Sequence, residues 1–411
     1  MFGATVLVPI LVQGYGLPLS IQTTLLCAGV GTLLFHVCTK FKVPAFLGSS
    51  FAFLGGFQAM ANLDSGMYAS MDPTDKLAYT LGGIVVAGAL YLVLALLFKL
   101  VGARKVMRFF PPVVTGPMII LIGLNLSGSA VANASTCWWL ALLAMAVIIA
   151  ANIWGKGMVK IIPILLGVLV PYVVALCCGM VDFTETKEAA WAGVAPFVLA
   201  KFDVTAILVM APIAIASMME HIGDISAISA TAGSNFIEDP GLHRTLLGDG
   251  LATALASLFG APANTTYGEN TGVLALSKVY DPRVIRIAAA FAIILSFCPK
   301  FAALITAMPA ATIGGVSLVL YGMISAVGVR NVVENKVDFT NTRNVVIAAL
   351  ILVLSLGIAN SSAGAVHIGS VSLSGLAVAS IVGIVLNAVL PGKDYEFQQE
   401  SEGSTSVNFK V

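Results

Sequence analysis

Apolar stretches of membrane-spanning length run along almost the whole chain, and short polar or charged breaks separate them. A spanning helix needs about 20 mostly apolar residues, and turn residues and charges mark where such stretches end. The pattern therefore predicts an all-α polytopic membrane protein with fourteen spans. The predicted spans cover residues 1–13, 17–39, 43–59, 77–98, 109–130, 137–154, 158–180, 204–230, 245–260, 262–278, 284–306, 309–329, 343–359 and 370–390.

Three of these spans depart from an ordinary apolar helix. The first, at residues 1–13, is short and has no flanking charge. The third and the tenth, at 43–59 and 262–278, carry a proline at the start and polar residues in the middle. Because proline removes a backbone donor and polar residues are costly in lipid, neither is predicted to form one continuous helix.

Composition excludes a soluble globular enzyme. Of the 411 residues, 58% are hydrophobic and only 10% are charged, and the mean hydropathy is +0.98. Soluble domains carry about 25% charged residues, so this chain could not cover a soluble surface. The net charge of +1 provides no basic surface for nucleic acid. The 40 glycines and 17 prolines indicate closely packed, interrupted membrane helices.

The basic residues predict the orientation of the chain. When the loop after the second span is placed in the cytoplasm and the loops alternate, the outer loops hold only Lys76, Lys187, Lys201 and Lys300 of the 21 basic residues. Cytoplasmic loops of membrane proteins are enriched in Lys and Arg. The distribution therefore predicts a multi-pass protein of the cytoplasmic membrane with both chain ends in the cytoplasm.

The third and tenth spans resemble each other at an offset of 218 residues. The aligned pairs are Pro44 with Pro262, Ala45 with Ala263, Ser50 with Gly268, and Phe51 with Glu269. Chance recurrence of a Pro-Ala dipeptide is the alternative explanation. However, both spans come third in a block of seven, and an odd block length gives the two halves opposite topology. This pattern predicts a 7+7 inverted repeat, in which paired interrupted segments meet at the bilayer midplane and form the site.

Three acidic residues, Glu220, Asp224 and Glu269, fall within predicted spans, away from the loops. A charge at the bilayer centre costs about 2.5–3.5 kcal/mol, so such residues are functional candidates. Glu220 and Asp224 are four residues apart and share one helix face. Two such carboxylates cannot both ionise comfortably, which suits a proton carrier. The alternative is a structural pair that is hydrogen-bonded to neighbouring helices. His221 points about 100° away from Glu220 and is predicted to be a network residue rather than a ligand.

The tenth span, with its sequence NTTYGEN from Asn264, combines donors and acceptors. Backbone N–H groups that precede a half-helix are donors for carbonyl oxygens, and Glu269 is an acceptor. The third span provides matching backbone at Ser50 and Phe51, and the Phe51 ring offers a flat apolar face. Such a site suits a small planar ligand with both N–H and C=O groups, and a nucleobase fits that description.

At five places the sequence resembles the nucleobase–ascorbate transporter family, specifically its uracil permease branch. The matching stretches are MFGATVLVP, VPAFLGSSFAF, EHIGD, DPGLHR and NTTYGEN. The resemblance covers nearly the whole chain, and NTTYGEN with its Glu is the specific signal. Xanthine and urate carriers of the family typically have Gln-Asn where this chain has Glu269 and Asn270.

The resemblance implies a fold of fourteen segments in which segments 3 and 10 are interrupted by short antiparallel strands. It implies a core domain, residues 1–105 and 203–307, that moves against a gate domain, residues 106–202 and 308–392. Residues 393–411 would be a polar cytoplasmic tail. A homodimer in the lipid bilayer is expected.

The resemblance also implies a function and a site. The protein would be a proton symporter that imports uracil or a close pyrimidine by alternating access, with the proton as coupling ion and no other cofactor. Glu220 and Glu269 would bind the base, and Glu220 with Asp224 would couple the proton. The remaining site residues would be Phe51 and Gly268, whose backbone N–H groups meet the base carbonyls, together with Ser50, Ala4, Tyr267 and Tyr321.

Two departures from the family pattern carry expectations of their own. The residues that usually precede MFGA, which include a Gln-His pair, are absent, so we expect either a native start upstream of Met1 or a fragment. The best-known uracil carriers have His where this chain has Asp224, although other members carry Asp. This difference leaves the detail of proton coupling open.

Other functions are weighed against this one. A purine-type symporter of the same family is the nearest alternative. A same-fold anion carrier would be expected to place a cation or several helix N-termini at the site, whereas no Lys or Arg of this chain needs to lie mid-membrane and three acids do. An intramembrane enzyme is the remote alternative, but no H-E-x-x-H motif is present, and the histidines His36, His221, His243 and His367 are too scattered for a metal site. A channel is disfavoured because no ring of repeated side chains is visible.

Overall fold

The computed structural model describes residues 2–64, 66–361, 364–368 and 371–392. The α-helices are α1 (Phe2–Gly14), α2 (Ile21–Cys38), α3 (Leu54–Ala61), α4 (Pro73–Val101), α5 (Ala103–Met107), α6 (Pro112–Ser135), α7 (Trp138–Ile153), α8 (Met158–Ile161), α9 (Pro163–Cys177), α10 (Thr184–Glu188), α11 (Val204–Met210), α12 (Ile213–Ala232), α13 (Leu242–Leu258), α14 (Glu269–Ser277), α15 (Pro282–Ser296), α16 (Pro299–Thr306), α17 (Ala310–Glu334), α18 (Thr342–Ala359) and α19 (Gly375–Val389). The strands are β1 (Leu47–Ser49), β2 (Asn264–Thr266), β3 (Ala365–Ile368) and β4 (Val371–Ser374).

Long apolar helices dominate the part of the chain that the structure describes. Six of its helices are long and apolar enough to cross a membrane, and a bent pair raises this number to seven. Five shorter apolar helices accompany them. The protein is therefore a mostly helical, multi-pass membrane protein, while the count of fourteen crossings stays a prediction.

The helices pack in two groups. Helices α2, α4, α13 and α15 contact one another, and α6, α7, α9, α17 and α18 form a second group. Close approach in the second group depends on glycine, because a Cβ at Gly328 of α17 would lie 2.5 Å from the backbone nitrogen of Ile120 in α6. Small residues let membrane helices approach closely. Helix α12 lies between the groups, in contact with α4 and with α6 and α19. Whether a core and a gate move as separate bodies stays a prediction.

Besides the third and tenth segments, three predicted spans are interrupted. Span 158–180 is divided into α8 and α9 at Ile162, and span 204–230 is divided into α11 and α12 at Ala211 and Pro212, although these two together count as one of the six membrane-length helices. Span 284–306 is bent by 90° between α15 and α16. In this last case the break lies at Cys298 and Pro299. Proline lacks the N–H that would continue the hydrogen-bond ladder, and sharp kinks usually occur at such positions.

The last predicted span, 370–390, was placed too early. Its first residues form β4, which pairs antiparallel with β3, and the helix begins only at Gly375. The β3–β4 hairpin alternates β-branched or apolar residues with small or polar ones, which favours strands. The sequence-based prediction followed the apolar content of this stretch and overlooked its period of two.

Candidate functional site

The third and tenth segments meet through two short strands, as predicted. Strands β1 and β2 pair antiparallel, with Leu47 opposite Thr266, Gly48 opposite Thr265, and Ser49 opposite Asn264. The Ser50 N–H extends the ladder by donating to the Ala263 carbonyl at 2.8 Å. All six paired residues are buried. Irregular backbone at membrane depth is tolerated only where protein covers it or where it lines a cavity.

A helix begins directly after each strand. A 3₁₀ turn, Phe51–Phe53, follows Ser50 and leads into α3, whereas α14 begins at Glu269 directly after Gly268. The first N–H groups of a helix have no acceptor inside that helix, and the end where they lie carries partial positive charge. Two such ends beside one strand pair provide donors for the carbonyl oxygens of a ligand.

Side chains from α2 and α13 hold the two strands in place. The Thr32 hydroxyl donates to the Leu47 carbonyl at 3.2 Å and accepts the Leu47 N–H at 2.9 Å. On the other strand, Thr253 donates to the Asn264 carbonyl at 2.5 Å, and the Asn264 amide donates to the Cys27 carbonyl at 2.9 Å. The strand backbone is thus satisfied by the buried hydroxyls of Thr32 and Thr253 as well as by its partner strand, and the Asn264 side chain attaches β2 to α2.

Helix α1 packs against the outer side of β1. The Ser49 hydroxyl donates to the Thr5 carbonyl at 2.6 Å, and the Tyr267 hydroxyl donates to the Ser49 carbonyl at 2.9 Å. The Tyr267 ring also packs directly on Gly48 of β1, where a side chain would not fit, because a Cβ at Gly48 would lie 2.5 Å from the ring. Ala4, the neighbour of Thr5, is buried. The structure therefore places α1 and Tyr267 beside the strand pair.

One face of α12 extends across both interrupted segments. The Ser217 hydroxyl lies 3.4 Å from the Ser50 hydroxyl of the third segment, and two turns later Asp224 lies beside Gly268 of the tenth. Glu220 falls between them on the same face and is buried. Glu220 and Asp224 therefore lie beside the place where β1 and β2 pair, which we call the strand crossing.

Asp224 contacts the start of α14 closely. A Cβ built at Gly268 would lie 2.5 Å from the Asp224 Oδ1 atom, so only glycine fits there without a shift. The Thr266 hydroxyl donates to Asp224 Oδ2 at 3.3 Å. The carboxyl of Asp224 therefore lies against Gly268 and Thr266, the two residues that flank Tyr267.

A fourth acidic residue, Asp249, belongs to the same buried network. It falls in the predicted span 245–260 but is not among the three acids that the sequence analysis singles out, and it lies in the middle of α13 and is fully buried. The His221 Nδ1 atom lies 3.2 Å from Asp249 Oδ2 and 3.2 Å from the Thr266 hydroxyl. The interpretation of His221 as a network residue agrees with these contacts. An acid flanked by Gly248 and Gly250 inside an apolar stretch was the signal that could have identified Asp249.

Aromatic rings form a wall beside the strands. The Phe51 ring centroid lies 6.2 Å from that of Tyr267 and 5.8 Å from that of Tyr321, the latter in an edge-on arrangement. All three side chains are buried. Tyr321 comes from α17, so the wall joins the third and tenth segments to the second helix group.

The structure brings most of the predicted site residues together around this crossing. Those whose contacts or position it describes are Ala4, Ser50, Phe51, Glu220, Asp224, Tyr267, Gly268 and Tyr321. The side chain of Glu269 lies outside the described residues, although its backbone begins α14.

Polar atoms of the tenth segment add a feature that the sequence did not indicate. The Thr265 hydroxyl, the Asn270 amide nitrogen and the Thr271 hydroxyl are buried and have no hydrogen-bond partner within the described part of the chain. Buried polar groups are normally paired, and exceptions call for an explanation. A polar ligand bound at this segment is one such explanation.

Comparison with known proteins agrees with this geometry. A sequence model described as the Permease family matches residues 1–364. The uracil permease of Bacillus caldolyticus is 42% identical over 410 residues, which cover 96% of this chain and 90% of that protein. The uracil permease of Bacillus subtilis (strain 168) is 38% identical over 421 residues, which cover 98% and 92%.

Solved structures share the fold. SLC26A9 aligns with a TM-score of 0.68 at 12% identity, over 94% of this chain and 63% of SLC26A9. The transmembrane domain of the cyanobacterial bicarbonate transporter BicA aligns with a TM-score of 0.56 at 14% identity, over 94% and 96%. At these identities the likeness concerns the fold alone. The family match and the relatives are permeases and not enzymes, and they confirm the resemblance carried by NTTYGEN. The chain therefore belongs to the nucleobase–ascorbate transporter family.

Proposed function

We propose that this protein is a proton-coupled symporter that imports uracil or a close pyrimidine across the cytoplasmic membrane. The observation that carries the proposal is the strand crossing, where two helix starts and the acidic face of α12 converge. The names of the relatives at 42% and 38% identity supply the substrate class. Alternating access would occur by movement of the core domain against the gate domain, with both chain ends in the cytoplasm.

The crossing provides the groups that a uracil ring requires. Uracil alternates carbonyl oxygens with ring N–H groups around one edge. The backbone N–H groups of Phe51 and Gly268, at the two helix starts, would donate to the carbonyls. Glu220 and Glu269 would accept from the ring N–H groups, because charge-assisted hydrogen bonds are the stronger kind. The aromatic wall at Phe51, Tyr267 and Tyr321 would pack against the flat ring.

The buried atoms of the tenth segment support a polar ligand of this kind. Thr265, Asn270 and Thr271 each present a buried polar atom with no partner among the described residues. An unsatisfied buried group costs about 1–3 kcal/mol. A bound base, or water that accompanies it, would satisfy these groups and so would favour the loaded state.

The acid pair supplies a route for the proton. Glu220 and Asp224 lie one turn apart on α12, and both are buried. A charge on both in a low-dielectric site is disfavoured, so the pair would share a proton in one state and release it in another. Because Asp224 contacts Gly268 and Thr266, its protonation state would act on the backbone that binds the base.

A purine-type symporter is the second candidate. Xanthine and urate carriers of the family typically have Gln-Asn where this chain has Glu269 and Asn270. A glutamate accepts hydrogen bonds only, whereas a glutamine also donates. This difference favours a ligand that presents N–H at this position, as uracil does.

Uptake into proteoliposomes tests the proposal. Vesicles that contain the protein should accumulate labelled uracil when the outside is acidic, and a proton ionophore should abolish the accumulation. Unlabelled uracil and thymine should compete, and xanthine, adenine and cytosine should not. Empty vesicles are the control. Competition by xanthine alone would favour the purine candidate, and accumulation that resists the ionophore would refute proton coupling.

Substitution of the acid pair separates binding from coupling. Asp224→Asn keeps the shape of the side chain but removes the titratable group, so it should retain equilibrium binding, lose gradient-driven accumulation and shift the pH dependence of uptake. Glu220→Gln should reduce both binding and accumulation. An Asp224→Asn protein with wild-type accumulation and an unchanged pH profile would show that Asp224 has a structural role only.

A further inference from the structure

A separate cavity lies at the end of α4, away from the strand crossing. Its volume is about 770 Å³, and its walls come from α4, α5, the starts of α6 and α18, and the ends of α17 and α19. None of its lining residues belongs to β1, β2, α12 or α14. The cavity is therefore distinct from the proposed uracil site.

The rim of this cavity is basic. Lys105, Arg108, Lys336 and Arg343 line it, against a single carboxylate, Asp338. Within the part of the chain that the structure describes, none of the four cations is held in an ion pair. Hydrogen bonds from the Thr340 hydroxyl and N–H hold the pKa of Asp338 below its ordinary value, so this carboxylate is ionised at neutral pH. The rim still retains an excess of positive charge.

Hydrogen bonds fix part of this rim. The Arg343 guanidinium donates to the Asn387 carbonyl and side-chain oxygens, both at 2.8 Å. The Asn387 amide in turn donates to the Arg108 carbonyl at 3.0 Å. Arg343 is therefore held in one orientation without a ligand. Asn387 connects it by hydrogen bonds to Arg108, which precedes α6. A preorganised cation loses less side-chain entropy on binding an anion.

Most of the remaining lining residues are apolar, and some of them are partly exposed. Leu94 and Ile384 line the interior, while Leu97, Val101 and Phe109 line the mouth. The side chains at the mouth are 44%, 45% and 47% exposed, respectively. A small hydrated anion would gain no binding free energy from such apolar walls. A molecule with a charged head and long apolar chains fits both the rim and the walls.

We propose that this cavity binds the headgroup of an anionic phospholipid, with an acyl chain lying along the outer face of α4. The basic loops that form its rim fall on the side predicted to be cytoplasmic, where anionic lipids attract Lys and Arg near the membrane surface. Basic pockets between spanning helices are known sites for such headgroups. The cavity joins α4 to α6, α18 and α19, so a bound lipid would bridge the two helix groups.

Native mass spectrometry of the full chain with phosphatidylglycerol and phosphatidylcholine tests this proposal. The wild type should retain phosphatidylglycerol in preference to phosphatidylcholine. The Lys105→Gln/Arg108→Gln variant should bind phosphatidylglycerol about tenfold more weakly, because each Lys or Arg near an anionic headgroup adds to the binding free energy. Lys156→Gln/Lys160→Gln removes two basic residues from the same predicted side, outside the cavity, and should bind like the wild type.

Thermal unfolding in detergent provides a second measurement. A ligand that binds only the folded protein raises its midpoint temperature. Phosphatidylglycerol should therefore stabilise the wild type and the Lys156/Lys160 variant equally, and it should raise the midpoint temperature of the Lys105/Arg108 variant less. Equal retention by all three proteins, or equal binding of both lipids, would overturn the proposal.

The acidic tail of the chain is the competing occupant. Its carboxylates are Asp394, Glu396, Glu400 and Glu402, and the tail follows α19, which lines the cavity. A full-length variant with all four neutralised to amides distinguishes the two occupants. If this variant retained phosphatidylglycerol and the wild type did not, the cavity would be assigned to the tail and the lipid proposal would fail.

Discussion

The third and tenth segments share one backbone plan and differ in chemistry. In each, a three-residue strand leads within a few residues into a half-helix, and the two strands pair with each other. After β1 the chain continues as Phe51, Ala52 and Phe53, which are buried and apolar. After β2 it continues through Gly268 to Glu269 and Asn270. The third segment thus provides apolar side chains beside the strand pair, and the tenth segment provides polar groups.

The surrounding side chains show the same asymmetry. Asp224, His221 and Asp249 form a buried network that reaches the tenth segment through Thr266. Helix α12 also packs against the third segment, but among the described hydrogen bonds the 3.4 Å contact between Ser217 and Ser50 is the one that joins them, and it involves no titratable group. The two segments therefore share their backbone geometry, whereas the titratable side chains are concentrated around the tenth segment. Substitutions at matched positions of the two segments should therefore have unequal effects.

The largest effect is expected at Asp249. Asp249→Ala leaves the buried His221 ring nitrogen without its carboxylate partner, which costs about 1–3 kcal/mol of folding free energy, and it adds the cost of a cavity at a fully buried position. Thr32→Val, which removes the two hydrogen bonds that hold the third segment at Leu47, should cost about 1–2 kcal/mol. Thermal unfolding in detergent measures both, with the exposed Glu188→Ala as control. Equal destabilisation by Asp249→Ala and Thr32→Val would contradict the asymmetry.

The next effect is expected at Glu269, which aligns with Phe51 in the repeat. Glu269→Gln replaces a charged acceptor with an amide, and loss of a charge-assisted hydrogen bond costs about 1.5–3 kcal/mol. Uracil affinity measured by isothermal titration should therefore fall at least about tenfold. Phe51→Leu removes only the aromatic component of its packing, about 0.5–1.5 kcal/mol. Unchanged affinity in a well-folded Glu269→Gln protein would remove Glu269 from the site.

A smaller effect is expected at Gly268, which aligns with Ser50. Gly268→Ala places a methyl group 2.5 Å from Asp224 Oδ1, so either the helix start or α12 must shift. Overpacking of this kind costs about 1–3 kcal/mol. We expect a lower uracil uptake rate in vesicles and a shifted pH dependence, because the contact involves the carboxyl. A Gly268→Ala protein with the wild-type rate and pH profile would show that this close contact has no role in transport.

The smallest effect is expected at Ser50. Its hydroxyl contacts Ser217 at 3.4 Å, which is long for a hydrogen bond between hydroxyl groups. Ser50→Ala keeps the backbone N–H that donates to Ala263, so the strand ladder stays intact. Uptake should remain within about twofold of the wild type. A loss as large as that of Gly268→Ala would indicate that both segments carry chemistry.

The sequence predicted the helices and the two interrupted segments better than it predicted the buried polar network of His221, Asp224 and Asp249. Apolar runs located the spans, and proline with polar residues at 43–59 and 262–278 identified the two interrupted segments. The paired strands agree with what the family resemblance implies, whereas the contact of Asp224 with the tenth segment was not predicted. The number of crossings, the domain boundaries and the binding roles stay predictions.

Two physical causes explain what the sequence did not reveal. Charges mark span ends in a sequence, so Asp249, which is the fifth residue of its predicted span, does not stand out as an intramembrane acid although it is fully buried. Membrane helices are apolar on every face, so their periodicity does not show which side meets another helix. The contacts of His221 with Thr266 and Asp249 could therefore be found only in three dimensions.

The threonines behind the strands have a consequence for base selectivity. Thr32 and Thr253 set the position of β1 and β2 from helices that lie behind the crossing. If the crossing binds the base as proposed, substitutions at these hidden positions would move the strands and change which base is accepted while every residue in contact with the base is preserved. A laboratory search for altered selectivity should therefore randomise α2 and α13 together with the lining itself.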